Sequence, residues 1–168
     1  LHRRLHVLGK TSVGRELSRR LGWEFLDTDA VIEQRAGMPV PRIFAELGEP
    51  VFRRFEFEVV SEAVGGSNRV VSLGGGALVN TELRNRVLAN ACLVILDVRL
   101  PGMNGLEALD RIRANPATAR LPVLMISGHA SVADAMSAVQ KGATDFFEKP
   151  VDRDLVRQVI RNNISQVR

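Results

Sequence analysis

Apolar residues along the chain form either short continuous runs or stretches with helical spacing. The continuous runs predict six β-strands, at residues 4–8, 23–26, 70–73, 92–98, 122–127 and 145–148. The helical spacing predicts helices at residues 11–21, 29–35, 42–47, 51–63, 81–89, 106–114, 131–141 and 152–164. Continuous apolar strands separated by helices are typical of a parallel sheet that is covered on both faces. We therefore expect an α/β fold, a doubly wound three-layer sandwich with a mainly parallel sheet of about six strands.

Residue types at the helix ends agree with these boundaries. Asn80 is a predicted N-cap, and Ser131 with Asp134 has the spacing of a capping box. Asp29 also has the residue type and position of a helix cap, an interpretation that stands beside a functional one. Gly22 follows the first predicted helix, where glycine commonly ends a helix. These signals support the alternation of strands and helices.

Length and composition indicate one globular domain. The chain has 168 residues, of which 45% are hydrophobic and 25% are charged, and its formal net charge is +4. These values are ordinary for a globular protein and exclude a disordered, collagen-like or coiled-coil chain. The basic residues are spread out, and no apolar run reaches the roughly 18 residues of a membrane span, so we expect neither a nucleic-acid nor a membrane partner. The single cysteine, Cys92, lies in an apolar run and indicates a buried thiol in a cytoplasmic protein.

Residues suited to phosphate chemistry recur where the predicted strands end. They are Gly9, Lys10, Thr11, Asp27, Asp29, Gly74–Gly76, Asp97, Ser127 and Lys149. In open α/β sheets, ligands bind at the carboxyl ends of the strands. Phosphoryl groups need a lysine, a hydroxyl, carboxylates for Mg²⁺ and bare glycine backbone. The sequence therefore predicts a site for a phosphate-containing ligand at this edge of the sheet.

Three blocks in the first half of the chain resemble shikimate kinase. They are GKTSVGRELSRRLGWEFLDTDAVIEQRAG, FRRFE and VVSLGGGAL, and the resemblance covers roughly residues 5–96. It implies a P-loop enzyme that transfers the γ-phosphate of ATP to the 3-hydroxyl of shikimate. Under this resemblance Lys10 would bind the β- and γ-phosphates beside Gly9, and Thr11 would ligate Mg²⁺. Asp27 would support the metal site.

The same resemblance implies the residues that bind shikimate. Asp29 would hold the hydroxyl that attacks ATP, and Arg53 would pair with the shikimate carboxylate, a task suited to a planar guanidinium. Gly75 and Gly76 would let the backbone approach the substrate. The structural alternatives are a helix cap for Asp29, a solvated helix position for Arg53 and a simple turn for the glycines.

The second half of the chain resembles a response-regulator receiver domain. The blocks VILDVRLPGMNGLEAL, PVLMISGHAS and GATDFFEKPVD carry this resemblance over roughly residues 92–164. It implies that Asp97 accepts a phosphoryl group from a histidine kinase near Mg²⁺, that Ser127 senses the acyl phosphate, and that Lys149 pairs with it. Pro150 suggests a cis peptide bond after Lys149. The structural alternative for Lys149 is an ion pair with Asp97.

Two departures from the shikimate kinase pattern bear on activity. The pattern GxxxxGK(S/T) needs a glycine five positions before Gly9, where this chain has Arg4. The chain passes directly from Leu8 to Gly9, so either most of the loop that surrounds the phosphates is deleted, or a segment between these two residues is missing from the sequence. After Leu96 the lid with its ATP-facing arginine and the later shikimate-binding arginine do not follow. We therefore expect ATP and Mg²⁺ binding to be weak or lost.

The two resemblances meet at the predicted strand 92–98, which can serve both sheets. We expect one composite domain over residues 1–168, with a shikimate-kinase-like half at 1–91 and a receiver-like half at 92–168. The expected strand order is 2-3-1-4-5-6, in which every crossover can be right-handed. An engineered chimera is favoured over a natural fusion, because a natural fusion normally keeps both domains whole and joins them by a linker.

The function that follows is a chimeric scaffold without full parental activity, which retains residual phosphate, nucleotide or Mg²⁺ binding at the strand ends. This interpretation leans against an enzyme and makes shikimate and a histidine kinase doubtful partners. One alternative is ATP-dependent shikimate kinase activity. Another is a phospho-acceptor module that is phosphorylated on Asp97.

Overall fold

A six-stranded parallel sheet forms the central layer of the fold. The computed structural model describes residues 4–8, 11–100, 103–129, 131–151, 154, 157 and 161–163. The sheet consists of β1 (Arg4–Leu8), β2 (Glu24–Asp27), β3 (Arg69–Leu73), β4 (Leu93–Asp97), β7 (Val123–Ser127) and β8 (Asp145–Glu148). Two further strands, β5 (Arg99–Leu100) and β6 (Met103–Asn104), form a separate antiparallel ladder that the sequence pattern did not predict.

Helices connect the strands of the sheet. They are α1 (Thr11–Leu21), α2 (Thr28–Ala36), α3 (Val40–Arg42), α4 (Glu49–Ala63), α5 (Thr81–Asn90), α6 (Gly105–Ala114) and α7 (Val132–Gln140). A π-helical turn, Ile43–Leu47, connects α3 to α4. The predicted last helix, 152–164, lies largely outside the described residues.

The strands lie in the order β2-β3-β1-β4-β7-β8, which is 2-3-1-4-5-6 when only the strands of this sheet are counted. It is the order proposed from the sequence. In the register of the sheet Leu8 pairs with Leu96, and Asp97 pairs with Ile126. The strand β4 therefore lies between β1 and β7, with all carboxyl ends at the same edge.

Alternate residues of the central strands supply two apolar layers, one on each face of the sheet. Leu93 and Ile95 of β4 pack in a cluster with Leu17 of α1. Val94 and Leu96 belong to a second cluster, formed with residues of α4, α5 and α6. All of these side chains are buried. The expected α/β sandwich with helices on both faces is confirmed, and continuous apolar strands are its sequence signature.

The start of α2 corrects one structural alternative. Oδ1 of Asp27 accepts hydrogen bonds from the backbone N–H groups of Asp29, at 3.1 Å, and Ala30, at 3.4 Å. Asp27 is therefore the N-cap, and Asp29 lies in the first turn of the helix. The hydroxyl of Thr28 donates to the carbonyl of Ser72 at 3.1 Å and ties the helix to β3. The interpretation of Asp29 as the cap of this helix is therefore wrong.

Two expectations from composition concern Cys92 and membranes. The thiol of Cys92 is buried beside the first residue of β4, as the apolar run predicts. Within the described parts of the chain, no helix has the length and hydropathy required to span a bilayer. The expectation that the chain has no nucleic-acid partner stays a prediction.

Gly105 at the start of α6 lies against the backbone at the end of β4. Its N–H donates to the carbonyl of Val98 at 2.9 Å, and a Cβ atom added to it would lie 2.1 Å from the carbonyl oxygen of Asp97. We expect Gly105→Ala to lower the free energy of unfolding by about 1–3 kcal/mol, because backbone must move to admit the methyl group. Urea denaturation measures this loss.

Gly128→Ala is the matched control for this substitution. The nearest atom to a Cβ at Gly128 is Cδ of Lys149, at 3.8 Å, which is ordinary van der Waals contact. The control should keep the stability of the parent chain. Equal stability of Gly105→Ala and the parent would contradict the close approach described above.

Candidate functional site

A cavity of about 310 Å³ lies beyond the carboxyl end of β3. Its lining residues come from α2, α3, the π-helical turn, α4 and the segment after β3: Asp29, Val40, Phe44, Phe52, Arg53, Glu56, Gly74, Gly75, Gly76 and Val79. Four candidates from the sequence, namely Asp29, Arg53, Gly75 and Gly76, thus line one cavity. Their roles stay predictions, but the structure brings them together from segments that are far apart in the sequence.

Arg53 is held on α4 by two carboxylates. Its Nη1 donates to Oε2 of Glu56 at 2.8 Å, and its Nη2 and Nε donate to Oε1 of Glu49 at 3.0 and 3.1 Å. Positions three and four residues apart lie on one face of a helix, so the sequence spacing produces this arrangement. The Glu56 side chain is 4% exposed, whereas that of Arg53 is 39% exposed. The guanidinium is therefore held by the buried carboxylate of Glu56 and remains accessible from the cavity.

Glu56 was missed by the sequence reasoning, although it ends the FRRFE block. Burial raises the pKa of its carboxyl above the ordinary value, while the hydrogen bond and the charge of Arg53 act in the opposite direction. The spacing of three residues from Arg53 was the available signal. Its burial was not predictable from that spacing, because it depends on how α4 packs.

The glycine segment after β3 passes close to both charged groups. A Cβ atom at Gly76 would lie 2.5 Å from Nη1 of Arg53, and one at Gly74 would lie 2.7 Å from Oδ1 of Asp29. Any larger residue would push these side chains away. Gly74 and Gly76 therefore do more than form a turn, because their missing side chains leave room for the carboxylate and the guanidinium.

The carboxyl group of Asp29 has an unusually high pKa for a group that lines an open cavity. Burial raises its pKa from the ordinary 3.8 to about 6, and the negative charges of Asp27, Glu56 and Glu33 add to the effect. A carboxylate with a pKa this close to neutrality can accept a proton from a hydroxyl group held beside it. Perturbed acids in cavities are candidates for catalytic groups.

Part of the cavity wall is apolar. The rings of Phe44 and Phe52 lie 4.5 Å apart between centroids, tilted by 33°. Val40 and Val79 extend this wall, and Val79 is 47% exposed. The sequence reasoning did not select any of these residues. The cavity therefore combines a cation and a carboxylate with apolar side chains, which suits a small ligand that has both an anionic group and an apolar part.

A second cluster lies at the carboxyl ends of β4 and β8. Nζ of Lys149 donates to Oδ2 of Asp97, and the two side chains are 14% and 10% exposed. Oδ1 of Asp97 accepts the backbone N–H of Arg99 at 3.1 Å. The structure thus shows the ion pair named above as the structural alternative for Lys149.

Ser127 and Pro150 complete this second cluster. Ser127 is fully buried, and its hydroxyl accepts the backbone N–H of His129 at 3.3 Å. The backbone N–H of Lys149 donates to the carbonyl of Ser127 at 2.8 Å. The peptide bond between Lys149 and Pro150 is cis, as its sequence suggested.

The predicted nucleotide-binding residues fall partly beyond what can be described. Gly9 and Lys10 lie outside the described residues, and Thr11 is described only as the first residue of α1. The strand β1 ends at Leu8, so the connection to α1 has only these two residues. The roles of Gly9, Lys10 and Thr11 in binding stay predictions.

The predicted Mg²⁺ ligands do not all belong to one site. Asp27 ends β2 and Asp97 ends β4, and β3 and β1 lie between them. Three strand spacings amount to about 14 Å, which is too far for both carboxylates to ligate one ion. Among the residues that the structure describes, no group of three or more His, Cys, Asp or Glu side chains could hold a metal. A Mg²⁺ ion held by one carboxylate, a hydroxyl and substrate phosphates is compatible with this, because Mg²⁺ usually binds in this way.

Comparison with known proteins gives consistent matches to one family. The model of the family "Shikimate kinase" matches residues 8–120. A shikimate kinase of Symbiobacterium thermophilum is 37% identical over 160 residues, which cover 86% of this chain and 91% of that protein. The solved structure of a shikimate kinase from Acinetobacter baumannii in complex with shikimate matches with a TM-score of 0.63 and 25% identity, over 98% of this chain and 94% of that chain.

A receiver domain also matches the structure. The signal receiver domain of a DNA-binding response regulator from Colwellia psychrerythraea has a TM-score of 0.56 at 16% identity, over 97% of this chain and 98% of that chain. Identity this low concerns the fold alone. The family model continues to residue 120, well past the seam expected at 92–98. The comparisons therefore do not support the expectation of an engineered chimera.

Proposed function

Because the chain belongs to the shikimate kinase family, we propose that it transfers the γ-phosphate of ATP to the 3-hydroxyl of shikimate. The observation that carries this proposal is the cavity in which Arg53 and Asp29 lie beside the glycine segment 74–76. This function replaces the scaffold without full parental activity that was favoured from the sequence alone. It also makes shikimate an expected substrate rather than a doubtful one.

Arg53 binds the carboxylate of shikimate in this proposal. Its guanidinium is fixed by Glu56 and Glu49 and keeps one side toward the cavity. A planar guanidinium can donate two parallel hydrogen bonds to a carboxylate, which orients the ring as well as attracting it. Gly76 leaves the room that this geometry requires.

Asp29 accepts the proton of the attacking hydroxyl. A bond forms between the 3-oxygen of shikimate and the γ-phosphorus while the bond from that phosphorus to the bridging oxygen of ADP breaks. The hydroxyl proton passes to the Asp29 carboxylate and from there to solvent. Phosphoryl transfer depends mainly on positioning and on neutralisation of charge, so the protein needs to supply little covalent chemistry.

Lys10, Thr11 and Asp27 are the proposed residues at the nucleotide end of the site. Mg²⁺, when bound, neutralises the charge that develops on the phosphates, and Thr11 with Asp27 would hold it. Only Gly9 and Lys10 connect β1 to α1, so few backbone N–H groups can surround the phosphates. We therefore expect weak binding of ATP compared with a complete loop.

Formation of shikimate 3-phosphate tests this proposal. The parent chain should form it from ATP, Mg²⁺ and shikimate, as detected by mass spectrometry, and Lys10→Ala should lose it. Lys141→Ala is the matched control, because Lys141 pairs with Asp110 at the surface between α6 and α7. No product from the parent chain at saturating ATP would contradict the proposal.

The rate should depend on pH through Asp29. The carboxyl must be ionised to accept a proton, and its pKa is about 6. We expect kcat/KM for shikimate to rise about tenfold per pH unit below this value and to level off above it. Glu33→Gln removes one of the negative charges that raise the Asp29 pKa, so the midpoint should move to lower pH.

Glu33→Gln can keep a backbone contact while it changes this pH profile. Oε1 of Glu33 accepts the N–H of Val40 at 2.8 Å, and the amide oxygen of glutamine can accept the same bond. A profile that stays flat from about pH 5 to about pH 8 would show that the ionisation of Asp29 does not limit the reaction.

A second candidate function is phosphorylation of Asp97. It is favoured by the buried Asp97–Lys149 pair beside Ser127. With acetyl phosphate, a carboxylate oxygen of Asp97 would bond to phosphorus while acetate leaves. Intact mass spectrometry tests for one added phosphoryl group, which Asp97→Asn should prevent. A Mg²⁺ ion shared with Asp27 is not part of this candidate, because the two strands are too far apart.

The proposal includes two further expectations. The chain forms one domain, in which a first half at 1–91 and a second half at 92–168 share the sheet through β4. Its location is cytoplasmic. Limited proteolysis checks the first, since separate halves would give two stable fragments and a single domain would not.

A further inference from the structure

The side chain of Lys149 crosses the carboxyl edge of the sheet. Lys149 follows β8, its Cδ passes over Gly128 after β7, and its Nζ reaches Asp97 at the end of β4. The ammonium has therefore crossed one strand and points from β8 toward the centre of the sheet. The next strand in that direction is β1.

Asp97 is level with the start of the connection between β1 and α1. Leu96 pairs with Leu8, the last residue of β1, so Asp97 lies one residue past that pair. Neighbouring strands lie about 4.8 Å apart. The helix α1 begins three residues after Leu8, at Thr11. The Lys149 ammonium, at the end of β4, thus lies one strand away from the carboxyl end of β1, where the phosphates of ATP are proposed to bind.

The Asp97–Lys149 pair is poorly explained by stability alone. Both side chains are largely buried, and the loss of water from two charges commonly offsets the attraction between them. Burial also keeps the cation close to the sheet edge and away from solvent ions. An ammonium has three donors, of which the hydrogen bond to Asp97 uses one. Among the described residues only Asp97 accepts a hydrogen bond from this ammonium, so donors remain for a phosphate group at the nucleotide end of the site.

We propose that Lys149 is a further phosphate-binding residue of this chain, which turns from Asp97 to the β- and γ-phosphates of ATP. This inference rests on the proposed ATP-dependent function. A triphosphate carries more negative charge than one carboxylate, so it can compete for the ammonium. The resemblance assigns no residue after Leu96 as the ATP-facing arginine of the lid. Lys149 supplies a cation at the phosphates in its place.

ATP titrations of Lys149→Met and Asp97→Asn test the inference. Lys149→Met should weaken ATP binding about tenfold, the effect of one lost hydrogen bond from a charged group, and should leave shikimate binding unchanged. Asp97→Asn should tighten ATP binding, because the carboxylate no longer competes for the ammonium. If the ion pair were purely structural, Lys149→Met and Asp97→Asn would change the affinity for ATP in the same direction.

The controls separate this inference from the proposed function. Lys141→Met removes a surface lysine of the same kind and should not change ATP binding. If the parent chain binds ATP and forms product while Lys149→Met binds ATP equally well, the inference is overturned and the function stands. If the parent chain does not bind ATP, the proposed function fails and the inference fails with it.

A variant that removes both charges guards against misfolding. Lys149→Met leaves the buried Asp97 carboxylate without its cation, which can destabilise the fold. The double variant Asp97→Asn, Lys149→Met avoids this and should bind ATP as weakly as Lys149→Met. A double variant that binds ATP as well as the parent chain would overturn the inference.

Discussion

Asp29→Asn is expected to lower kcat for shikimate phosphorylation by about 10²- to 10⁴-fold, the usual contribution of a positioned base. Asparagine has nearly the same shape and can still hydrogen-bond the attacking hydroxyl, but it cannot accept the proton. Binding of shikimate and ATP should therefore change little. Steady-state rates at saturating concentrations of both substrates measure the effect.

The free energy of unfolding should not fall together with kcat in Asp29→Asn. The pKa of Asp29 is raised in the folded chain, chiefly by burial, so the folded state binds its proton more tightly than the unfolded state does. Ionisation of Asp29 therefore lowers the free energy of unfolding as pH rises from about 4 to about 6. At neutral pH the uncharged amide introduced by Asp29→Asn avoids this loss. We expect this variant to be at least as stable as the parent chain.

Asp110→Asn provides the matched control for Asp29→Asn. Asp110 lies on α6, where it pairs with Lys141, and it lies outside the cavity lining. Its variant should keep the parent rate. Near-parent activity of Asp29→Asn would show that a different group accepts the proton. A loss of activity together with a loss of stability would indicate a structural role for Asp29.

The fold was predictable because its strands are continuously apolar. All five residues of β4 and of β7 are buried. Continuous apolar strands of this kind are typical of a sheet that is covered on both faces. The helix bounds followed from local chemistry, as with Asn80, whose side chain caps α5 at the N–H of Leu83. The β5–β6 ladder was not predictable, because two-residue strands carry no periodicity.

The cavity was predictable only in part. Asp29, Arg53, Gly75 and Gly76 were selected because their motif implied them, not because the sequence gives their distances. Glu56 and the apolar wall depend on how α4 and the π-helical turn pack, which no local pattern encodes. The cap of α2 shows the same limit. Asp29 was predicted as the cap, but Asp27 is the cap in the structure, and by residue type the two aspartates suit this role equally.

The interpretation as a chimera gave too much weight to where one motif pattern ends. Individual motifs of a family report contacts with ligands, whereas a family model also reflects the apolar positions that build the sheet and helices. The match to residue 120 includes β4 and α6, which follow the last recognised kinase motif. Two families that share a sheet architecture place similar apolar runs at the same points, so the sequence after Leu96 was compatible with both.

Arg53→Met is expected to raise KM for shikimate by about 30- to 3,000-fold, the range for removing one partner of a hydrogen-bonded charge pair. The thioether fills part of the space of the guanidinium but cannot bind a carboxylate. ATP binding should remain. Arg53→Lys should fall between the parent and the methionine variant, because an ammonium keeps the charge and loses the planar geometry. Steady-state kinetics with shikimate as the varied substrate measures each KM.

The adjacent residue Arg54 offers a control in the same helix turn. Arg54 is exposed and does not line the cavity, so Arg54→Met should keep the KM of the parent chain. Arg53→Met also leaves the buried Glu56 carboxylate without its cation, a change that destabilises the fold. Arg53→Met combined with Glu56→Gln removes both charges, so it separates binding from stability. If this double variant recovered a parent-like KM, Arg53 would not be the group that binds the carboxylate, and its ion pairs with Glu49 and Glu56 would be structural.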